Sequence, residues 1–457
     1  LSLSLSLHMD MRAEMRGSPP ISLPTPALFN TPQGSFSGAL KGCLGSLDGA
    51  CTEKLLLHCA SALESNDVTF AQQVMWVLNN VAASTGDPNQ RLTSWLLRAL
   101  VSRASRAYPH ATAFHGAASP GAGRPMSVTE LAAFVDLLPW HRFGFSAANG
   151  AICRAVRGRK RVHILDFSIT HCMQWPTLID ELAKRAEGAP SVRITVPDGR
   201  PPVPPLLNVS IEEVGFRLAK FAHSREVPFE FHVMKTTTTP ARHGDGAPSD
   251  TSQLPYPWFS SCHLDPSLLD LREDEALVVN CQNWLRYLPG EGGRGTRTTS
   301  DLTSKDGFIE MIRGLNPRIV TVVDEDADLD SPSLSSRITA CFNYLWIPFD
   351  VLETFLPKDS SLRDEQEAGV GQKIENVVGL DGPQRVERAE PGERVARRMK
   401  RAGFCGVPFG EETQEEVKQL LDEHAGGWGM KREDEHRHLV LTWKGHHVVF
   451  ASAWVPR

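Results

Sequence analysis

Long apolar runs are missing from this 457-residue sequence. Nowhere do about 18 uncharged apolar residues follow one another, so no helix in it spans a bilayer. The most apolar late stretch, CFNYLWIPFDVLETFLP from Cys341, is broken by Asp350, Glu353 and prolines. Positive charge is short as well: 48 Lys and Arg stand against 54 Asp and Glu, a formal net charge of −6. That balance excludes wholesale attraction to nucleic acid or an anionic membrane and leaves such contact to a local basic patch. The nine cysteines include no C-x-x-C pair, and the regular spacing of Cys43, Cys51 and Cys59 matches no common zinc site. They read as reduced, buried thiols of a chain that works in a reducing compartment. The opening LSLSLSL is too short for a secretory core and lacks a basic flank and a small-residue cleavage site. With no address for export, the expected compartment is the cytosol or nucleus.

One local absence matters more. No glycine occurs between Val162 and Glu187. The stretch RVHILDFSITHCMQWPTLIDELAKR, residues 161–185, is an apolar strand ending in Asp166, a short turn, and an amphipathic helix opened by Pro176. In nucleotide- and S-adenosylmethionine-binding enzymes this arrangement holds the cofactor. There the charged ligand approaches the backbone closely, which calls for glycines in the turn and an open helix N-terminus. Here the turn reads Phe167-Ser168-Ile169-Thr170-His171-Cys172-Met173. Ile169 is β-branched and disfavours positive φ, and Met173 adds bulk where a cofactor would sit. Asp198, in VPDGR, is a lone candidate for gripping ribose hydroxyls after a second strand. The expectation is an enzyme's framework without its chemistry: no catalytic residue, no cofactor and no metal.

What is present divides the chain into three parts. Residues 1–48 are rich in Ser, Pro and Gly and are expected to be a disordered tail. Residues 49–150 carry apolar side chains at helical spacing. TEKLLLHCASALES, DVTFAQQVMWVLNNVAAS and PNQRLTSWLLRALVSRAS are separated by breaks such as Thr85-Gly86-Asp87-Pro88 and predict an antiparallel helical cap. SVTELAAFVDLLPWHRFGFSAANGAICRAV, from Ser127, adds more helix. Residues 151–457 alternate strand and helix. RVHILDFS, SVRITVP, PFEFHVM, EALVVNC and RIVTVVDED are strands rich in Val and Ile, with helices at PTLIDELAKRAE and SIEEVGFRLAKFAHSRE. The fold class is α/β: a doubly wound, mostly parallel sheet of methyltransferase-like, Rossmann-type topology. HLVLTW and HVVFASAW, flanking Lys444-Gly445-His446, predict a C-terminal antiparallel hairpin. Three polar segments read as inserted loops: one from Thr236, one around Gly290, and one from about Pro357 to Gly371.

At this point the chain resembles the GRAS family of plant transcriptional regulators from about Glu53 to its end. VHILDF at 162–167 with Gln174-Trp175-Pro176 is similar to the family's VHIID block. The helices from Leu55 to Ala104 resemble its first leucine-rich region, and residues 211–233 its second. Asn343-Tyr344 to Asp350 followed by IENVVGLDGPQRVERAE, residues 374–390, is similar to the PFYRE and RVER blocks. Trp428-Gly429, Trp443-Lys444 and Ser452-Ala453-Trp454 resemble the SAW block, and PWHRFGFSAANGAI at 139–152 suggests the scarecrow-like branch. The resemblance implies a helical cap on a methyltransferase-like core, nuclear residence, control of transcription, and association with itself or other regulators. GRAS relatives often place a glycine near position 172, where this chain has cysteine. LSLSLSLHM, with a His8-Met9 pair like a cloning junction and leucines alternating as in plant repressors' L-x-L-x-L, is expected to be an added or disordered tail.

The remaining candidates are weighed residue by residue. His171 and Cys172 are an adjacent pair without the further ligands a metal needs or the base a thiol nucleophile needs. They read as a turn lining. His163 reads as a buried, hydrogen-bonded histidine, Asp166 as a turn cap, and His436, His438, His446 and His447 as a solvated turn. Trp443 and Trp454 are assigned to core packing. In the helical cap, Trp76, Leu78, Trp95 and Leu96 make two helices apolar around much of their circumference, and a spare face there predicts a homodimer or partner surface. Two basic stretches are candidate DNA-binding surfaces: Arg154, Arg157, Arg159, Lys160 and Arg161 before the first strand, and Arg394, Arg397, Arg398 and Arg401 on one arc of a helix. The bland reading of the second is a solvated face partnered by Glu387, Glu390 and Glu393. The expected protein is a nuclear, non-enzymatic regulator that binds duplex DNA and self-associates through its cap. A partner-docking scaffold without DNA contact, and less readily an S-adenosylmethionine-dependent methyltransferase, remain as alternatives.

Overall fold

The computed structural model describes residues 49–107, 125–199, 201, 203, 205–234, 269–290, 304–424 and 426–457. The expected tail at 1–48, the loop from Thr236 and most of the stretch after Gly290 lie outside the described residues. Of the described residues, those at 49–107 and Pro348–Glu375 form one compact unit, and those at 125–347 with Asn376–Arg457 form the other.

The first unit is helical. It contains α1 (Gly49–Glu64), α2 (Val68–Asn79) and α3 (Pro88–Ala107). Asp67 caps α2 by accepting from the Phe70 N–H at 3.0 Å. Asp87 and Gln90 exchange 3.0 Å bonds across the start of α3, in the pattern of a capping box. Leu55, Leu56, Val74, Met75, Leu92 and Leu100 are fully buried, so the leucine-rich spacing builds the unit's own core.

Two later elements complete it. A long helix carries Pro348 in its interior, and its residues from Pro348 to Phe355 belong here. Ser361–Ile374, expected as a loop, is a helix capped by Ser360. Its packing is ionic, which is why its composition reads as loop. Arg91 bonds Glu353 at 2.8 Å and Glu367 at 3.1 Å, while Arg363 reaches the same two carboxylates at 3.2 and 3.0 Å. Arg91, Arg363 and Glu367 are buried, so each charge depends on the others to offset desolvation. Gly371 lets the Trp95 ring approach to where a Cβ would stand only 2.2 Å away.

The second unit begins with α4 (Val128–Leu137), closed by a Ser127–Glu130 capping box, and α5 (Pro139–Ala155). Then come β1 (Arg161–Asp166), α6 (Trp175–Ala183), β2 (Ser191–Pro197), α7 (Ile211–Ser224), β3 (Phe229–Met234), β4 (Ala276–Gln282), α8 (Lys305–Gly314) and β5 (Ile319–Glu325). The helix of Pro348 is α9 (Leu334–Phe355), and the first unit's last helix is α10. The chain closes with α11 (Gly392–Arg401), β6 (Phe404–Val407), α12 (Glu411–Asp422), β7 (Trp428–Glu433), β8 (His438–Trp443) and β9 (His446–Pro456).

The sheet runs β3-β2-β1-β4-β5-β9-β8-β7, with β6 on β9. β1 to β5 are mutually parallel; β9 joins β5 antiparallel. The sheet is thus the expected methyltransferase-like, Rossmann-type one, with β6 and β7 added to the expected hairpin. Lys444 and Gly445 both have positive φ, 49° and 86°, as a two-residue type I′ turn demands.

Helices cover both faces. α8 and α11 bury Phe308, Ile312, Val395 and Met399 on the face that carries Val279, Val320, Phe450 and Trp454. α5 lies on the other face, where Gly144 comes so close that a Cβ would stand 2.8 Å from Gln282 and Val323. Trp443 and Trp454 are fully buried, as expected.

Candidate functional site

Doubly wound sheets bind ligands outside the carboxyl ends of their strands, where the strand order reverses. Here that point lies between β1 and β4, at Asp166 and Asn280, which are register partners. Asp166 is fully buried. Its carboxylate accepts from the Ser168 N–H at 2.9 Å, the Ser168 hydroxyl at 3.1 Å, Trp175 Nε1 at 2.8 Å and Asn280 Nδ2 at 3.0 Å. A carboxylate offers about four acceptor sites, and the protein's own donors take them. The network continues inward. Asn280 Nδ2 also reaches Gln174 Oε1 at 3.1 Å, Thr321 Oγ1 donates to Asn280 Oδ1 at 2.7 Å, and Gln174 Nε2 donates to Asn149 Oδ1 at 3.0 Å. Asn149 in turn donates to Thr177 Oγ1 at 2.9 Å. A buried polar network satisfied in this way rigidifies its surroundings. The turn cap expected of Asp166 is there, but it is one bond among several.

The turn itself is strained. His171 and Cys172 both adopt left-handed φ, 51° and 65°. Two consecutive non-glycine residues there cost on the order of 1–3 kcal/mol each. The backbone thus keeps a conformation suited to glycine although glycine is absent. The His171 ring is held by Pro205 O at 2.8 Å, so its Nε2 carries the proton. Asp198 is exposed.

Of the other histidines, His436 and His438 are neighbours, with ring centroids 5.7 Å apart. His163 is buried; Arg193 donates to its Nδ1 at 3.1 Å, and its Nε2 donates to Thr195 Oγ1 at 2.8 Å. Burial, with the Arg193 charge adding to it, lowers its pKa to about 3, so the ring is neutral at physiological pH. His438 is buried and stacked 5.4 Å from Phe450, which corrects the expectation that it lies in a solvated turn; burial lowers its pKa to about 4. His447 bonds Asp326 at 2.9 Å, and that hydrogen bond raises its pKa. No group of three metal-ligating side chains occurs among the described residues.

The arginines of α11 are mostly committed. Arg398 is buried between Glu390 at 2.8 Å and Asp306 at 2.7 Å, and Arg394 holds Asp328 at 3.0 Å. Arg398 is therefore withdrawn from the DNA-binding set: a phosphate would have to displace two carboxylates in a desolvated site. Arg397 and Arg401 are exposed, with partners Glu393 and Asp306. Acids alternate from Asp324, near the end of β5, to Asp330, a signal missed in the sequence, and each meets a cation. Asp324 takes Arg286 at 2.6 Å, Asp326 takes His447, Asp328 takes Arg394, and Asp330 takes Lys305 at 3.0 Å.

The run before β1 is freer. Arg154, Arg157, Arg159, Lys160 and Arg161 are exposed. Arg161 pairs with Asp274, and Arg154 donates to Pro408 O. Arg157, Arg159 and Lys160 form no ion pair with a described residue. This run follows α5, whereas α11 packs on the opposite face, so the two basic stretches do not share a face of the sheet.

In the helical unit, Leu78 and Leu96 are fully buried, which removes them from the expected partner surface. Trp95 packs on Gly371 within the same unit and carries Arg98 4.7 Å above its ring. Trp76 is half-buried.

Such a molecule is a Rossmann-type framework whose switch point carries a network of side chains bonded to one another. The GRAS domain family matches residues 52–455, and the chain belongs to that family of plant transcriptional regulators. It is 47% identical over 419 residues to Scarecrow-like protein 32 of Arabidopsis thaliana, covering 91% of this chain and 96% of that one. Protein SHORT-ROOT 1 of Oryza sativa subsp. japonica is 35% identical, over 88% of this chain and 68% of its own length. Among solved structures, SCL7 of Oryza sativa shares the fold with a TM-score of 0.69 at 24% identity, over 88% of this chain and 99% of that one.

Proposed function

We propose that the protein is a nuclear, non-enzymatic regulator of transcription that contacts duplex DNA through the basic run before β1. The observation that carries the non-enzymatic reading is the closed network around Asp166. A cofactor entering there would have to break bonds that the protein makes to itself. Chemistry is then left to the surface, where Arg157, Arg159 and Lys160 are neighbouring cations that form no ion pair with a described residue. Arg154 and Arg161 flank them; Arg397 and Arg401 add a weaker second patch on another face.

Binding to a random-sequence duplex should fall with salt by a log–log slope of about −0.9 per phosphate neutralised. Replacing Arg157, Arg159 and Lys160 together by glutamine should weaken binding to all sequences and flatten that slope, because phosphate contacts position without specifying. Replacing Arg397 and Arg401 should do less. A folded triple variant with wild-type affinity and slope contradicts this surface.

Self-association through the helical unit is part of the same proposal and rests on Trp76. Light scattering on Trp76→Ala tests it: an unchanged dimeric mass moves the interface elsewhere. One observation favours the scaffold reading instead. Phe216 on α7 is 67% exposed, an apolar side chain of the kind that anchors protein partners. Failure of the wild type to bind any duplex at low salt would select that reading.

A further inference from the structure

The opposite end of the parallel strands is open. Where β1, β4 and β5 begin, a cleft of about 730 Å³ is cut into the second unit. That volume lies within the range of small-molecule sites, roughly 300–1,000 Å³. Its apolar lining includes Leu271, Leu277 and Val455. Leu271 is 43% exposed, one of two large apolar side chains that stand open among the described residues. Its cations include Arg154, Arg159 and Arg318.

The charge balance points one way. Glu275, also in the lining, is engaged by Arg193 and Arg272, and Arg272 is further held by Glu230 and Asp270. His163, at the floor, is neutral for the reasons given above. What remains is the three arginines against one exposed carboxylate, Glu273. Arg318 spends only its Nε, on Ala155 O at 3.0 Å, and the Arg159 guanidinium has no ion-pair partner among the described residues.

We propose that this cleft binds a small amphipathic anion: an apolar body seated on Leu271, Leu277 and Val455, and a carboxylate or phosphate head held by Arg154, Arg159 and Arg318. The site lies at the far end of the strands from the Asp166 network. Arg154 and Arg159 also belong to the run proposed to contact DNA. The variants that probe the cleft itself therefore lie outside that run, and variants within the run at positions that do not line the cleft serve as the control.

The experiment is calorimetric titration of the full chain with octanoate, octyl phosphate and 1-octanol. At least one anion should bind one-to-one, about tenfold or more tighter than octanol, as one charge-assisted contact supplies. The stronger anion identifies the head group. Arg318→Gln should weaken the anions by about tenfold and leave octanol unchanged. Leu271→Asp, at an exposed position that folding does not need, should weaken all three. Glu273→Gln should tighten the anions, and added salt should loosen them. The proposal is overturned if neither anion binds, if octanol binds as tightly as the anions, or if Leu271→Asp and Arg318→Gln both bind like the wild type. Arg157 and Lys160 replaced by glutamine should leave octyl-anion binding intact while weakening DNA, so failure of either proposal is read separately.

Discussion

The two ends of one parallel sheet have opposite characters. At the carboxyl ends of β1 and β4, where related frameworks hold a nucleotide, Asp166, Asn280, Gln174 and Asn149 are buried and bonded to one another. At the strand starts, charged and apolar side chains stand around an open cleft. Topology alone would assign function to the first end. The side chains at the first end are spent on one another, and those at the second line an open cleft. A fold constrains where ligands usually go, but the residues at the switch point decide whether anything enters.

If that contrast is right, substitutions at the closed end should cost stability, and those at the open end should not. The largest effect is expected from Asp166→Ala. It strands Trp175 Nε1, Asn280 Nδ2 and the Ser168 donors in a buried site, and should destabilise by about 3–5 kcal/mol, read from urea unfolding. A loss below about 1 kcal/mol would mean that the network is looser than its geometry. Gly144→Val comes next. Its side chain meets Gln282 and Val323, so overpacking should cost about 1–3 kcal/mol.

Acid sensitivity follows, and its sign is fixed by burial. The folded pKa of His163 is lowered to about 3, well below an exposed imidazole, so beneath about pH 6.5 the unfolded chain binds the proton that the folded chain refuses. This group's contribution is present above about pH 6.5 and is lost as pH falls, at roughly 1.4 kcal/mol per unit, until the folded value is reached. His163→Gln should flatten the acid limb of stability against pH; an unchanged limb would assign it to other groups. The smallest effect is expected from the glutamine triple at Arg157, Arg159 and Lys160. Exposed and unpaired, these should change stability by less than about 0.5 kcal/mol while altering DNA affinity and its salt slope.

Much of this framework was legible. Runs such as SVRITVP and EALVVNC foretold buried parallel strands, and Lys444-Gly445 between two apolar stretches foretold the hairpin. The missing glycine in the β1 turn was readable as well. The network at the switch point was not, because Asn280 becomes a neighbour of Asp166 and Gln174 only through β1–β4 pairing. The spacing of the α11 arc and its partners Glu390 and Glu393 were readable locally, whereas the further acids that Arg394 and Arg398 meet lie 66 and 92 positions away, which no local pattern reveals. Ser361–Ile374 looked like a loop for the converse reason. Its inward face is Arg363 and Glu367, and the carboxylate and guanidinium that make such a face buriable, Glu353 and Arg91, come from α9 and α3.

The central claim is that the switch-point crevice is closed, and titration of the full chain with S-adenosylmethionine tests it most directly. No saturable heat is predicted for the wild type. Saturable binding at micromolar affinity would show that the crevice opens to a cofactor and would contradict this reading.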